Sequence, residues 1–179
     1  MMGISTIEKR SEGLIRFVSD FRSLAHIPTP KFGSIGISKL FDQLEILLQH
    51  QLDSLQITLK KELNPEELIL FGDQTQIEQV LINLLQNAIQ AVEDSDLKII
   101  TLKAFIDEAG KIIIEVTDTG KGIEEEALGK IFIPFFTTKK KGSGIGLSLS
   151  KQIMRRHKGN IQVRSVLGEG TTFKLIFNG

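Results

Sequence analysis

Apolar residues recur along this chain with two periods, and the points where one period gives way to the other mark most of its elements. Residues 4 to 25 carry apolar or small side chains at positions 4, 7, 11, 14, 18, 21 and 25. Ile4, Ile7, Leu14, Val18 and Phe21 then form one narrow helical stripe, with Glu8, Lys9, Arg10 and Arg16 elsewhere on the surface. Ile27-Pro28-Thr-Pro30 stops that helix and imposes an extended link. Ser34 to Ser38 reads as a short strand, and Leu40 to Leu52 as an amphipathic helix with Leu40, Phe41, Leu44, Leu47 and Leu48 inward. Strands are predicted at 54–60, 67–71, 98–106, 111–117, 160–166 and 171–177, and helices at 74–93 and 144–157. The stretch 119–142 is rich in glycine and lysine, with room for one short helix at Glu124–Lys130. A loop of that length belongs to a lid or to a disordered segment.

Strands and helices segregated in this way predict an α+β fold: a two-layer α/β sandwich, its mixed sheet covered on one face by helices. The expected organisation is a helix over 1–27, a proline linker over 28–31 and one domain over 32–179. The first helix either docks on its own domain or packs against another helix or chain. Two prolines between it and the core favour the second, which allows a homodimer through residues 4–25.

Two glycine clusters carry the candidate chemistry. Lys111 to Val116 reads as a buried strand delivering Asp118 into the turn Asp118-Thr-Gly120-Lys-Gly122, where two glycines remove the Cβ atoms that would block a flat ring. A buried aspartate there can accept a hydrogen bond from the exocyclic amine that adenine offers and guanine lacks at that position. The second cluster, Gly142-Ser-Gly144-Ile145-Gly146-Leu147, opens a helix whose free N–H groups and dipole suit phosphate. Either cluster alone is more commonly an ordinary turn. Upstream, Asn83 and Asn87 stand four apart on one helix face, with Leu81, Leu84, Leu85 and Ala88 supplying the apolar side. They are either solvated polar residues or neutral oxygen ligands for Mg²⁺, an ion that substrate phosphates usually help to hold.

Composition narrows the field. The 179 residues are 41% hydrophobic, enough for one solid core. With 22 basic and 22 acidic side chains the formal net charge is zero, so no global basic field argues for nucleic acid or anionic lipid. The absence of cysteine rules out disulfides and thiol chemistry and suits a reducing, cytoplasmic setting. No apolar run approaches the roughly 18 residues a membrane helix needs, although a parent protein with a membrane anchor is compatible with this chain.

Taken together, these pieces resemble the ATP-binding domain of the sensor histidine kinases, within the gyrase, Hsp90, histidine kinase and MutL superfamily. Asn83-Leu-Leu-Gln-Asn87-Ala looks like its N box and Asp118 to Gly122 its G1 box. Ile131-Phe-Ile-Pro-Phe-Phe-Thr-Thr138-Lys139 resembles the F box, Gly142 to Leu147 the G2 box, and Gly168-Glu-Gly170-Thr171-Thr172-Phe173 the final glycine–threonine motif. The resemblance covers roughly Phe32 to the C-terminus and implies a Bergerat-type fold binding ATP and Mg²⁺. It implies that Asp118 binds the adenine amine, aided by a threonine of Thr171-Thr172 through water. Gly120 and Gly122 would let the ring approach, Ile123 and Ile145 would pad it, and Asn87, assisted by Asn83, would hold the metal. Gly142, Gly144, Gly146 and Leu147 would surround the phosphates, with Thr138 and Lys139 of the lid near them. Asn83, Asn87 and Lys139 are the implied catalytic residues.

Two departures matter. Many members carry lysine three residues after the second asparagine, where this chain has Gln90; that puts the source of positive charge in doubt and draws attention to Lys139, Lys140 and Lys141. Such a run is either a solvated face or a phosphate contact. Where the gyrase, Hsp90 and MutL branches usually carry a glutamate that activates water, this chain has Asn83, and an amide cannot take a proton. Residues 4–25 resemble the second helix of the dimerisation and histidine-phosphotransfer hairpin. None of the three histidines, His26, His50 and His157, has the acidic neighbour of a phosphoacceptor. The expected activity is therefore phosphoryl transfer from ATP to a histidine on a helical domain not found in this sequence, with a response regulator downstream. The alternatives are a superfamily serine/threonine kinase, or a nucleotide-binding interaction module without transfer.

Overall fold

The computed structural model describes residues 26–139 and 142–178. The predicted helix over 4–25 lies outside the described residues. Two short strands, β1 (Gly33–Gly36) and β3 (Ile69–Gly72), pair antiparallel as a separate two-stranded sheet. Between them run helix α1 (Ile37–Leu55) and strand β2 (Thr58–Asn64). Helix α2 (Gln74–Val92) follows, then β4 (Ile99–Ile106), β5 (Ile112–Asp118), a single turn α3 (Glu125–Leu128), α4 (Gly146–Arg156), β6 (Asn160–Val166) and β7 (Gly170–Phe177).

Five strands form the main sheet in the order β2-β4-β5-β7-β6. Only the β2–β4 pair is parallel, so the sheet is mixed, as the sequence predicted. Alternation along the strands sends Ile100, Leu102, Ala104, Ile114, Val116, Phe173 and Leu175 into one buried layer beneath the helices. On the other face Lys174 pairs with Glu115 and Lys103 with Glu62. Helix α2 is the most deeply buried element: Ile77, Val80, Leu81, Leu84, Leu85, Ala88, Ile89 and Val92 are all at most 2% exposed. The boundaries of α2 and α4 agree closely with the apolar periodicity.

Three expectations fail on α1 and β2. The helix runs to Leu55 rather than giving way to a strand at 54, because Leu48 and Leu52 extend the inward stripe by another turn. Gln56, in the left-handed region with φ of 56°, ends it. The strand that follows begins four residues later than predicted, and its Lys60-Lys61-Glu62 centre suits a sheet edge rather than a core. Leu47 is 61% exposed rather than inward, since it falls at the margin of the arc centred on Leu44 and Leu48.

The segment before β1 is bound to the domain. Ile27 is buried in the core, and the Pro28 carbonyl accepts hydrogen bonds from Gln76 Nε2 and Arg156 Nη1. Asp73 caps α2, its Oδ1 accepting from the Gln76 amide at 3.0 Å. Its Oδ2 accepts from the Lys31 amide at 2.7 Å, and its own N–H donates to His157 Nε2 at 3.0 Å. His157 therefore keeps its proton on Nδ1 and donates it to the Ile153 carbonyl, a structural role for a buried histidine. Among the described residues no helix is long and apolar enough to cross a membrane.

Burial works against ionising Asp73, but the Lys31 and Gln76 N–H donors outweigh it and hold its carboxyl below the ordinary range. A depressed carboxyl stabilises the fold above its unfolded pKa and loses that contribution as pH falls through the folded value. Asp73→Ala is thus expected to cost about 1–2 kcal/mol at pH 7, with the deficit shrinking below about pH 4. Urea unfolding of both proteins at several pH values measures it.

Candidate nucleotide-binding site

Strand β5 ends at Asp118, held in register opposite Thr171 of β7. The carboxylate is 5% exposed, and Oδ1 accepts from the Gly120 amide at 2.9 Å, which closes the turn. Burial pushes its pKa up to about 6, although the N–H groups of Gly120 and Thr171 and the charge of Lys139 pull the other way. A carboxylate so desolvated gains more than an exposed one from a further donor.

The glycines of this turn have an additional reason to lack side chains. A Cβ on Gly120 would sit 2.6 Å from the Ala91 carbonyl at the end of α2, and Gly122, with φ of +73°, lies against the Val166 carbonyl. The turn packs backbone to backbone between α2 and the β6–β7 hairpin. Ile123, whose side chain lies against the core, is tied there by its N–H to Ser165 Oγ at 2.9 Å. Ser165 donates to the Gly170 carbonyl and meets Thr171 Oγ1 at 2.9 Å, so Ser165 joins three pieces of the site. No motif marks it, and only the β6–β7 register, pairing Ser165 with Thr171, reveals its position.

Of the two threonines, Thr171 is buried on the face of Asp118. Thr172 falls on the opposite face and pairs with Thr117 Oγ1 at 3.0 Å. A cleft of about 260 Å³ reaches Asp118 from that side, lined also by Arg164 and Glu169, and it includes none of Asn83, Asn87 or Lys139.

Helix α2 presents Asn83, Asn87 and Gln90 toward α4 and the segment before it. Asn83 is committed to α4: Nδ2 donates to Ser150 Oγ at 3.0 Å, and its Oδ1 lies where a Cβ on Gly146 would be. Asn87 Oδ1 and Gln90 Oε1 each accept from the Lys139 ammonium at 2.7 Å. Lys139 as a residue is exposed, but its ammonium is lodged against α2. Desolvation of that ammonium and the neighbouring Lys121 charge lower its pKa, with Asp118 opposing them. An ammonium held by amide oxygens shows that this part of α2 accepts a cation, so the donor set fits the Mg²⁺ that the sequence implied.

The first turn of α4 begins at Gly146, with buried Ile145 before it, no side-chain cap and no acidic residue. Leu147 packs on the core. Gly144, with φ of +72°, lies against the Phe135 backbone and accepts its N–H at 3.0 Å. The Gly142 N–H donates to the Lys139 carbonyl and the Lys139 N–H to Thr137 Oγ1, with Thr138 exposed beside them. Lys140 and Lys141 lie outside the described residues. The predicted short helix appears as α3, and Ile131 beyond it is buried.

A buried carboxylate at a glycine turn, amide oxygens holding a cation and an uncapped helix start together define a nucleotide-binding domain. The sequence pattern of the family described as histidine kinase-, DNA gyrase B- and HSP90-like ATPases matches residues 72–178. The catalytic domain of the histidine kinase ThkA is 33% identical and superposes with a TM-score of 0.73, covering 82% of this chain and 95% of that one. ThkA in complex with the response regulator protein TrrA is 28% identical, with a TM-score of 0.78 over 97% of this chain and 49% of that one. The sensor histidine kinase ZraS of Escherichia coli (strain K12) is 35% identical over 167 residues, 93% of this chain. The chain spans about a third of the length of ZraS (35%). It belongs to the histidine kinase-, gyrase B- and HSP90-like ATPase family, as an ATP-binding catalytic domain of the histidine kinase type.

The raised Asp118 pKa fixes a sign. The folded state holds a proton there between about pH 4 and pH 6 that the unfolded chain has lost, so stability falls as pH rises across that window. Asp118→Asn is expected to be more stable than the parent above pH 6, by on the order of 2 kcal/mol. The gain should fade toward pH 4, as read by urea unfolding across that range.

Proposed function

We propose that this chain binds ATP with Mg²⁺ and transfers the γ-phosphoryl group to a histidine on a separate helical phosphotransfer domain, from which a response regulator receives it. The observation that carries this reading is a desolvated carboxylate at a glycine turn combined with a cation already seated on Asn87. Asp118 accepts from the adenine amine, Thr171 lies beside it on the same face, and Ile123 and Ile145 border the base. The uncapped start of α4, with Gly144, Gly146 and Leu147, receives the phosphates through backbone N–H groups. Asn83 fixes that helix start against α2 through Ser150.

Mg²⁺, when bound, neutralises charge on the β- and γ-phosphate oxygens. The chain's own contribution is positioning, which is most of what phosphoryl transfer requires. The bond from the γ-phosphorus to the bridging oxygen breaks, a phosphorus–nitrogen bond to the imidazole forms, and ADP leaves. The imidazole proton passes to a neighbour on the acceptor domain, since Asn83 cannot accept one. For the same reason, hydrolysis by water is slow. ZraS and ThkA, both named histidine kinases, and ThkA's complex with a response regulator support this assignment.

Incubating the chain with ATP, Mg²⁺ and a histidine-bearing helical domain is expected to leave acid-labile, base-stable phosphate on that domain and none on this chain. Phosphoserine, or no transfer, would overturn the reading. Calorimetry of Asp118→Ala is expected to show ADP affinity reduced on the order of a hundredfold, the loss of one charge-assisted hydrogen bond.

A further inference from the structure

Asn83, Asn87 and Gln90 share one face of α2, spaced four and then three residues apart. Their amides are not equivalent. The Asn83 side chain is engaged by Ser150 and Gly146 of α4, whereas Asn87 Oδ1 and Gln90 Oε1 converge on one point, 2.7 Å from each, where the Lys139 ammonium sits. Two neutral oxygens aimed at one positive centre are a cation seat whatever the cation. Lys139 enters that seat from the segment that follows Phe136, so the same contact ties the lid to α2.

We propose that Gln90, together with Asn87, forms the metal seat of this domain, and that Lys139 is an internal cation filling it until Mg²⁺ arrives with the nucleotide. This rests on the ATP-binding reading above and goes beyond it by giving Gln90 a ligand role and Lys139 a competing one. The argument is electrostatic. An ammonium and a divalent ion cannot share two oxygens that both point at one position, because the two cations repel at that separation. Metal loading therefore expels Lys139 and breaks the contact between lid and α2 in the same event.

The test titrates Mn²⁺ into the full chain mixed with equimolar ADP, following free Mn²⁺ by its paramagnetic resonance signal. A parallel calorimetric titration measures ADP binding in chelator. Lys139→Met removes the competitor and is expected to raise Mn²⁺ affinity at least about fivefold. Gln90→Leu removes a ligand and is expected to lower it at least about tenfold. Metal-free ADP affinity should stay within about twofold of the parent in Gln90→Leu, which also shows that it folds; urea unfolding shows the same for Lys139→Met. Unchanged Mn²⁺ affinity in Gln90→Leu with ADP binding intact, or unchanged or weaker affinity in folded Lys139→Met, overturns the seat and leaves the nucleotide site standing. Failure of the parent to bind ADP would overturn both.

Discussion

Every part of the site is referred to one buried helix. The apolar face of α2 is sealed against the sheet, so its polar edge cannot rotate without exposing a row of leucines, and what touches that edge inherits a fixed position. The glycine turn leans on its last carbonyls at Ala91, α4 is fastened at Asn83, the lid lysine at Asn87 and Gln90, and the incoming strap at Asp73 and Gln76. The order of these contacts along α2 is set by chain geometry at about 1.5 Å per residue.

Much of this was legible before the fold. The glycine clusters, the asparagine pair and their spacing identify the family and its sheet-and-helix layers, because backbone close approach and helical phase leave marks in residue type. What escaped depends on pairing. Thr171 and Thr172 are adjacent and identical, and only the β5–β7 register separates the one beside Asp118 from the one beyond the sheet. Ser165 is an unremarkable hydroxyl until β6 pairs with β7. The polar centre of β2 hid that strand's true bounds, and Leu47 looked inward because a stripe's margin cannot be told from its middle without neighbours.

Two aspartates show how context sets charge. Asp73 and Asp118 are both buried, yet the first meets several N–H donors at a helix cap and is held ionised, while the second is left short of donors and is pushed toward neutrality. The first fastens structure; the second is the group proposed to meet the adenine amine. The cost of that placement falls on stability, a pattern common where binding groups are preorganised.

The bare start of α4 has a thermodynamic sequel. Helices without a capping side chain forgo about 1 kcal/mol, so any anion settling on those amides supplies what the sequence omits. Folding and ligand occupancy become linked through mass action, each tenfold excess of ligand over its dissociation constant adding about 1.4 kcal/mol to the native state. With the phosphates seated there as proposed, the equilibrium stability of this domain follows the supply of nucleotide, a gauge written into one helix end.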